Sequence, residues 1–114
     1  MYNYFMLIGR IINDVEIKEY EGGKRVVNLC LLITRPFKNF EGTYDADLVN
    51  VSLWEFMADF AIEKLKNGDK VGIKGRIAPR KVTLIDGATI SVMDLIGERI
   101  MFFDFPNQSQ QIEG

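Results

Sequence analysis

An all-β fold is predicted, a five-stranded Greek-key barrel with one α-helix between its third and fourth strands. Three observations carry this. Apolar and polar residues alternate with period two over five separate regions. Glycine or proline punctuates the ends of those regions, and only the stretch 55–68 repeats apolar residues at three-and-four spacing. A chain of 114 residues, 47% hydrophobic and 26% charged, has the size and composition of a single globular domain.

The first strand is read from Phe5, Leu7, Gly9 and Ile11 alternating with Tyr4, Met6, Ile8 and Arg10, a pattern with both faces apolar enough to be covered. Asn13-Asp14 turns the chain, and Val15, Ile17 and Glu19 lead to a glycine-rich hairpin at Glu21-Gly22-Gly23-Lys24. Residues 26–35, VVNLCLLITR, form the second long strand, and Pro36, which has no N–H to give a ladder, marks its exit. Cys30 within that strand reads as a small buried core residue rather than a reactive thiol. The following segment, PFKNFEGTYDA, has no apolar periodicity yet carries Phe37, Phe40 and Tyr44, aromatics that a core does not readily explain.

In the third strand, DLVNVSLW at 47–54, Val49, Val51 and Leu53 make the core face. Trp54 then projects with Asn50 and Ser52 from the polar face. The helix follows in EFMADFAIEKLKNG, with Met57, Phe60, Ala61 and Leu65 on one side and Gly68 as its expected C-cap. Val71, Ile73, Gly75 and Ile77 then alternate with Lys70, Gly72, Lys74 and Arg76, and Arg80 and Lys81 follow Pro79. The stretch 70–81 is the best local basic patch in the chain, although a solvated strand face explains such charges equally well. A hairpin around Asp86-Gly87 and a last strand, DLIGERIMFFDF, complete the domain at 1–105; the polar residues 106–114 are expected to fray.

Composition excludes several chemistries. With no histidine and one cysteine, zinc fingers, deaminase centres and Ser-His-Asp triads are impossible, and an internal disulfide cannot form. No phosphate-binding glycine loop or calcium loop is present, and no catalytic residue, metal site or cofactor is assigned. Asp45 and Asp47 alone are spaced to hold a magnesium ion, and strand-edge charge is the commoner explanation of such a pair. A net charge of −2 means that any nucleic-acid site must be local. No apolar run is long enough for a membrane span and no basic region precedes an export signal, so a cytoplasmic protein is expected.

The element order matches an oligonucleotide/oligosaccharide-binding (OB) barrel, which by itself leaves the ligand open. Four ordered words narrow it: LIGRI at 7–11, ITRPFKNFEG at 33–42, ADLVNVSLW at 46–54 and KLKNGDKVGIKGRIAPR at 64–80. Together they resemble the bacterial and phage single-stranded DNA-binding proteins over roughly residues 1–104. The resemblance implies a non-enzymatic, sequence-tolerant binder of single-stranded DNA in replication, recombination and repair. In that family aromatics stack on bases and Lys and Arg follow the phosphates. It carries over Phe37 and Trp54 as stacking platforms, with Arg10, Arg35, Lys38, Lys74, Arg76, Arg80 and Lys81 as phosphate contacts and Lys66 as a weaker candidate. Packing explanations stand beside these: Phe37 as a plug over its loop, Trp54 against the helix start at Phe56 or across a subunit contact, Arg10 in a structural ion pair.

Leu48 and Val82 stand where the resemblance calls for aromatics, and Leu84, Ile85 and Ile90 make the last hairpin unusually apolar. These departures support an alternative, an OB-fold protein-interaction module with weak or lost DNA binding. The resemblance also implies a homo-oligomer, tetramer or dimer, joined through barrel faces and first strands. The acidic tip through which family members recruit repair enzymes has no counterpart in QQIEG, so tail-mediated recruitment is not supported.

Overall fold

A computed structural model describes residues 3–103, so the tail expected over 106–114 lies outside the described residues. In chain order the elements are β1 (Phe5–Ile11), β2 (Ile17–Glu19), a 3₁₀ turn (Glu21–Gly23), β3 (Arg25–Lys38), β4 (Tyr44–Trp54), α1 (Phe56–Lys64), β5 (Lys70–Thr83) and β6 (Thr89–Phe102). The strands pair in the order β1-β5-β6-β4-β3, and β3 returns to β1 through Arg10 opposite Leu32 and Ile11 opposite Leu31. This closes the five-stranded barrel of an OB fold, with α1 between its third and fourth strands and the short β2 added outside on β3.

Period-two alternation fills the barrel. Val27, Leu29 and Leu31 of β3, Val51 and Leu53 of β4, and Val71 and Ile73 of β5 are fully buried, and Ala58 and Ala61 bring α1 close against them. Burying each of the larger side chains contributes about 2 kcal/mol. The wall is thinnest where β4 meets β6, because the two are joined there by a single parallel bridge, Ser52 opposite Ile96. β5 bends nearby: its register against β6 shifts between Lys74 and Gly75, where a side chain would run into the Ile96 carbonyl oxygen. Gly97, next to that bridge, is equally obligatory, since a Cβ there would collide with Leu53 and stand 3.0 Å from the Ile73 side chain.

Several expectations are corrected. β3 does not stop at Pro36 but runs on to Lys38. The proline falls in the irregular stretch between Thr34 and Lys38, where the ladder has no use for its missing N–H. The aperiodic segment is therefore mostly strand, a β3–β4 hairpin whose tip is closed by Asn39, whose Oδ1 accepts from the N–H groups of Glu41 and Thr43. Gly68 is not the helix cap: α1 ends at Lys64, Leu65 leaves in an extended conformation, and Gly68 serves the next turn at φ +101°. Cys30 is half-buried rather than core, because it shares the outward register of β3 with Asn28. Among the described residues only one face of β1 is covered, and Met6 and Ile8, with Tyr4 just before the strand, are exposed on the other.

Candidate nucleic-acid interface

The β4 alternation that sends Val51 and Leu53 into the barrel sends Ser52 and Trp54 out of it. Registers across the wall then set Asn28 opposite Ser52, Ser52 opposite Ile96, and Ile96 opposite Arg76, one row on the outer face of four strands. An open groove of about 670 Å³ lies over this row. Trp54, Arg80 and Asp94 line it further along their strands, and Tyr20 and Lys24 reach it from the β2–β3 connection.

Two local devices fix the aromatic part. Gly22 and Gly23, at φ +78° and +75°, let the chain turn so tightly that the Tyr20 N–H bonds the Lys24 carbonyl at 2.8 Å. Tyr20 is thereby set with its ring centroid 5.6 Å from that of half-buried Trp54, the planes inclined by 50°. Directly after Trp54, Glu55 takes φ +53°, a left-handed conformation that costs a non-glycine residue about 1–3 kcal/mol. It is held there by β3: the Glu55 N–H donates to the Arg25 carbonyl at 2.8 Å, and the Arg25 N–H donates to Glu55 Oε1 at 2.7 Å. The Arg25 guanidinium also grips Asp59 of α1 at 2.9 and 2.8 Å. Trp54 is thus anchored on its C-terminal side, and its ring partner is Tyr20 rather than Phe56, which is exposed.

The groove's arginines are already paired. Arg80 donates from Nε and Nη2 to Asp94 at 2.8 and 3.2 Å, and Arg76 Nε donates to Glu98 at 3.2 Å. The Arg80 hydrogen bond holds the Asp94 carboxyl below the usual aspartate range, and Asp94 in turn raises Arg80.

Of the residues singled out from sequence, Trp54, Arg76 and Arg80 come together here. The others lie elsewhere. Lys74 sits at the β5 bend with its ammonium 5.5 Å from the Tyr4 ring, in a separate cleft with Glu98 and Arg99. Arg10 donates to the Gly68 carbonyl at 2.8 Å and so anchors the turn between α1 and β5. Arg35 makes two 3.0 Å hydrogen bonds to Asp47 and stands 3.8 Å from Asp45, which occupies the carboxylates considered for magnesium. This pairing keeps Asp47 below the usual range and raises Arg35. Phe37 is exposed on the β3–β4 hairpin, and Lys38 there lies 5.9 Å from the Tyr44 ring. Lys81, one residue past Arg80, falls on the opposite face of the β5–β6 ribbon. Sequence reasoning missed Tyr20, Lys24, Asn28 and Asp94; Asn28 was within reach, since it alternates with the buried Val27 and Leu29.

Comparison with known proteins identifies a family. Residues 2–103 match the model of the family described as "Single-strand binding protein family". The chain is 32% identical over 104 residues to the "Single-stranded DNA-binding protein B" of Bacillus subtilis (strain 168), covering 91% of this chain and 92% of that one. It is 31% identical to the "Single-stranded DNA-binding protein" of Oceanobacillus iheyensis, over 91% of this chain and 65% of the relative. With the protein of the same name from Halalkalibacterium halodurans it shares 32% identity over its whole length and 67% of the relative. The chain thus spans nearly all of the first relative and about two thirds of the other two.

Proposed function

The chain belongs to the single-strand binding protein family, and on that premise we propose that its outer groove binds single-stranded DNA without reading sequence. The role is non-enzymatic, the protection of unpaired strands in replication, recombination and repair in the cytoplasm. The observation that carries the reading is Trp54, turned out of the barrel wall into the same groove as Arg76 and Arg80. A base stacks on the indole for about 1–3 kcal/mol, while the guanidinium groups follow the phosphates, so any sequence is accepted. From the groove the strand passes to the β3–β4 hairpin, where Phe37 offers a second ring beside Lys38 and Arg35. Lys24 adds a charge at the groove's edge, whereas Lys81, on the opposite face of the β5–β6 ribbon from Arg80, lies off this track. Arg10 and Lys74 are assigned to structure instead.

A homo-oligomer, dimer or tetramer, is part of the proposal. The exposed row Tyr4, Met6 and Ile8 supports it, as does the ladder of β1, which among the described residues pairs over Phe5–Gly9 with β5 alone. Sedimentation velocity of I8E should then show a smaller species than the unaltered protein.

Trp54 is the only tryptophan, so its fluorescence tests the site directly. Titration with oligothymidylate should quench it to saturation at low salt, and added salt should reverse the quenching. Unchanged fluorescence from a folded protein would favour a second reading, a protein-interaction module. That reading draws on the exposed Leu84, Ile85, Ile90 and Met93 of the β5–β6 hairpin.

A further inference from the structure

Among the described residues that line the groove, Asp94 is the one carboxylate. It sits in the middle of the cationic wall: in the β5–β6 ladder it faces Ala78, which stands between Arg76 and Arg80. Its two oxygens accept the Nε and Nη2 protons of Arg80, the forked contact a guanidinium makes equally well with phosphate. The acid is the more covered partner, its side chain 33% exposed against 58% for Arg80, so an incoming anion meets the arginine first. Arg76 differs. Its single contact is to Glu98, two residues past its ladder partner Ile96 as Asp94 is two past Val92, but Glu98 lines the neighbouring cleft.

We infer that Asp94 is a resident substitute for phosphate, occupying Arg80 while the groove is empty, so that single-stranded DNA binds by exchanging a phosphate for this carboxylate. The inference rests on the single-stranded DNA reading and deepens it. Exchanging one anion for another on the same guanidinium yields less than pairing a free guanidinium, and the displaced Asp94 stays in the groove to repel the backbone. Arg80 therefore adds less to affinity, and less to its salt dependence, than its position suggests. Asp94 limits how tightly the protein holds DNA and keeps the strand exchangeable.

The test compares the unaltered chain, D94N and E98Q in titrations with one length of oligothymidylate over a series of salt concentrations. D94N is expected to bind about threefold to tenfold more tightly at the lowest salt. The slope of log affinity against log salt should steepen by about 0.7, one further phosphate neutralised on a single strand. E98Q should change both quantities less. D94S, judged in the same way with circular dichroism as the folding check, guards against a defect peculiar to the amide. Equal or weaker binding by D94N and D94S, or an unaltered slope, overturns the inference and leaves Asp94 as a residue that merely orients Arg80. If the unaltered chain fails to bind oligothymidylate at all, the single-stranded DNA reading falls and takes the inference with it. Normal binding by the unaltered chain with no gain in D94N removes the inference alone.

Discussion

The hairpin joining β3 and β4 carries Phe37, Phe40 and Tyr44 outward beside Lys38, while the hairpin joining β5 and β6 carries Leu84, Ile85 and Ile90. Both are antiparallel arms leaving the same barrel. The first is irregular, with a register shift before Lys38, and is laced by the Arg35–Asp47 pair and the Asn39 side chain. The second keeps unbroken register from Gly75 to Thr83 and closes through a turn in which the Ala88 N–H donates to Asp86. A β-ladder supplies reach in either case; the side chains decide what is reached. Rings beside cations suit bases and phosphates, whereas branched aliphatic chains have no π face for a base and suit a protein surface.

The largest effect should follow from stripping the first arm. F37A with F40A should weaken oligothymidylate binding by about 1–3 kcal/mol for each base that loses its ring, with the thermal midpoint unmoved because both side chains are exposed. An equal loss on stripping the second arm would erase the contrast between them.

The root the arms share is the next test. G97A places a methyl group against Leu53 and Ile73, and urea denaturation should register a loss of about 1–3 kcal/mol. Here binding fails only because the barrel does.

L84S with I85S should leave oligothymidylate affinity within about twofold while reducing self-association or partner capture, read by light scattering at high concentration. The contrast sharpens if only this variant changes association.

The smallest effect is in acid. Asp47 on the first arm and Asp94 at the base of the second both have carboxyl groups depressed by hydrogen bonds from arginine. Each therefore contributes stability that is whole above the ordinary aspartate value, about 3.9, and lost as pH falls through the depressed one. Carboxyl NMR titration should show both below that value, and R35Q should return Asp47 alone toward it.

Much of this was legible in the chain. Alternation identified the barrel strands and placed Trp54 outside, because Val51 and Leu53 claim the other face. The three-and-four spacing located α1, although its end was misjudged: the Leu65 N–H still bonds Ala61, and an extended Leu65 stops the helix before Gly68. Pro36 misled for a related reason, since a proline signals an ended ladder unless the partner strand shifts register at that point. The aromatic arm was recognised by composition, but its strand character was not, because its charged and aromatic side chains have no buried face to reveal the period.

By itself the sequence determined most of the barrel strands, the position of the helix and the faces taken by Val51, Leu53 and Trp54, since side-chain direction follows from local backbone geometry. Only the tertiary structure decided that Tyr20, Trp54, Arg80 and Asp94 share one groove. That groove exists where β4 and β6 meet through one bridge and the β2–β3 turn leans over them, and such long-range register leaves no period in the chain. The charge state of the site was decided there as well. An arginine in a basic stretch reads as free in sequence, and becomes a paired one when the ladder brings an aspartate within 2.8 Å.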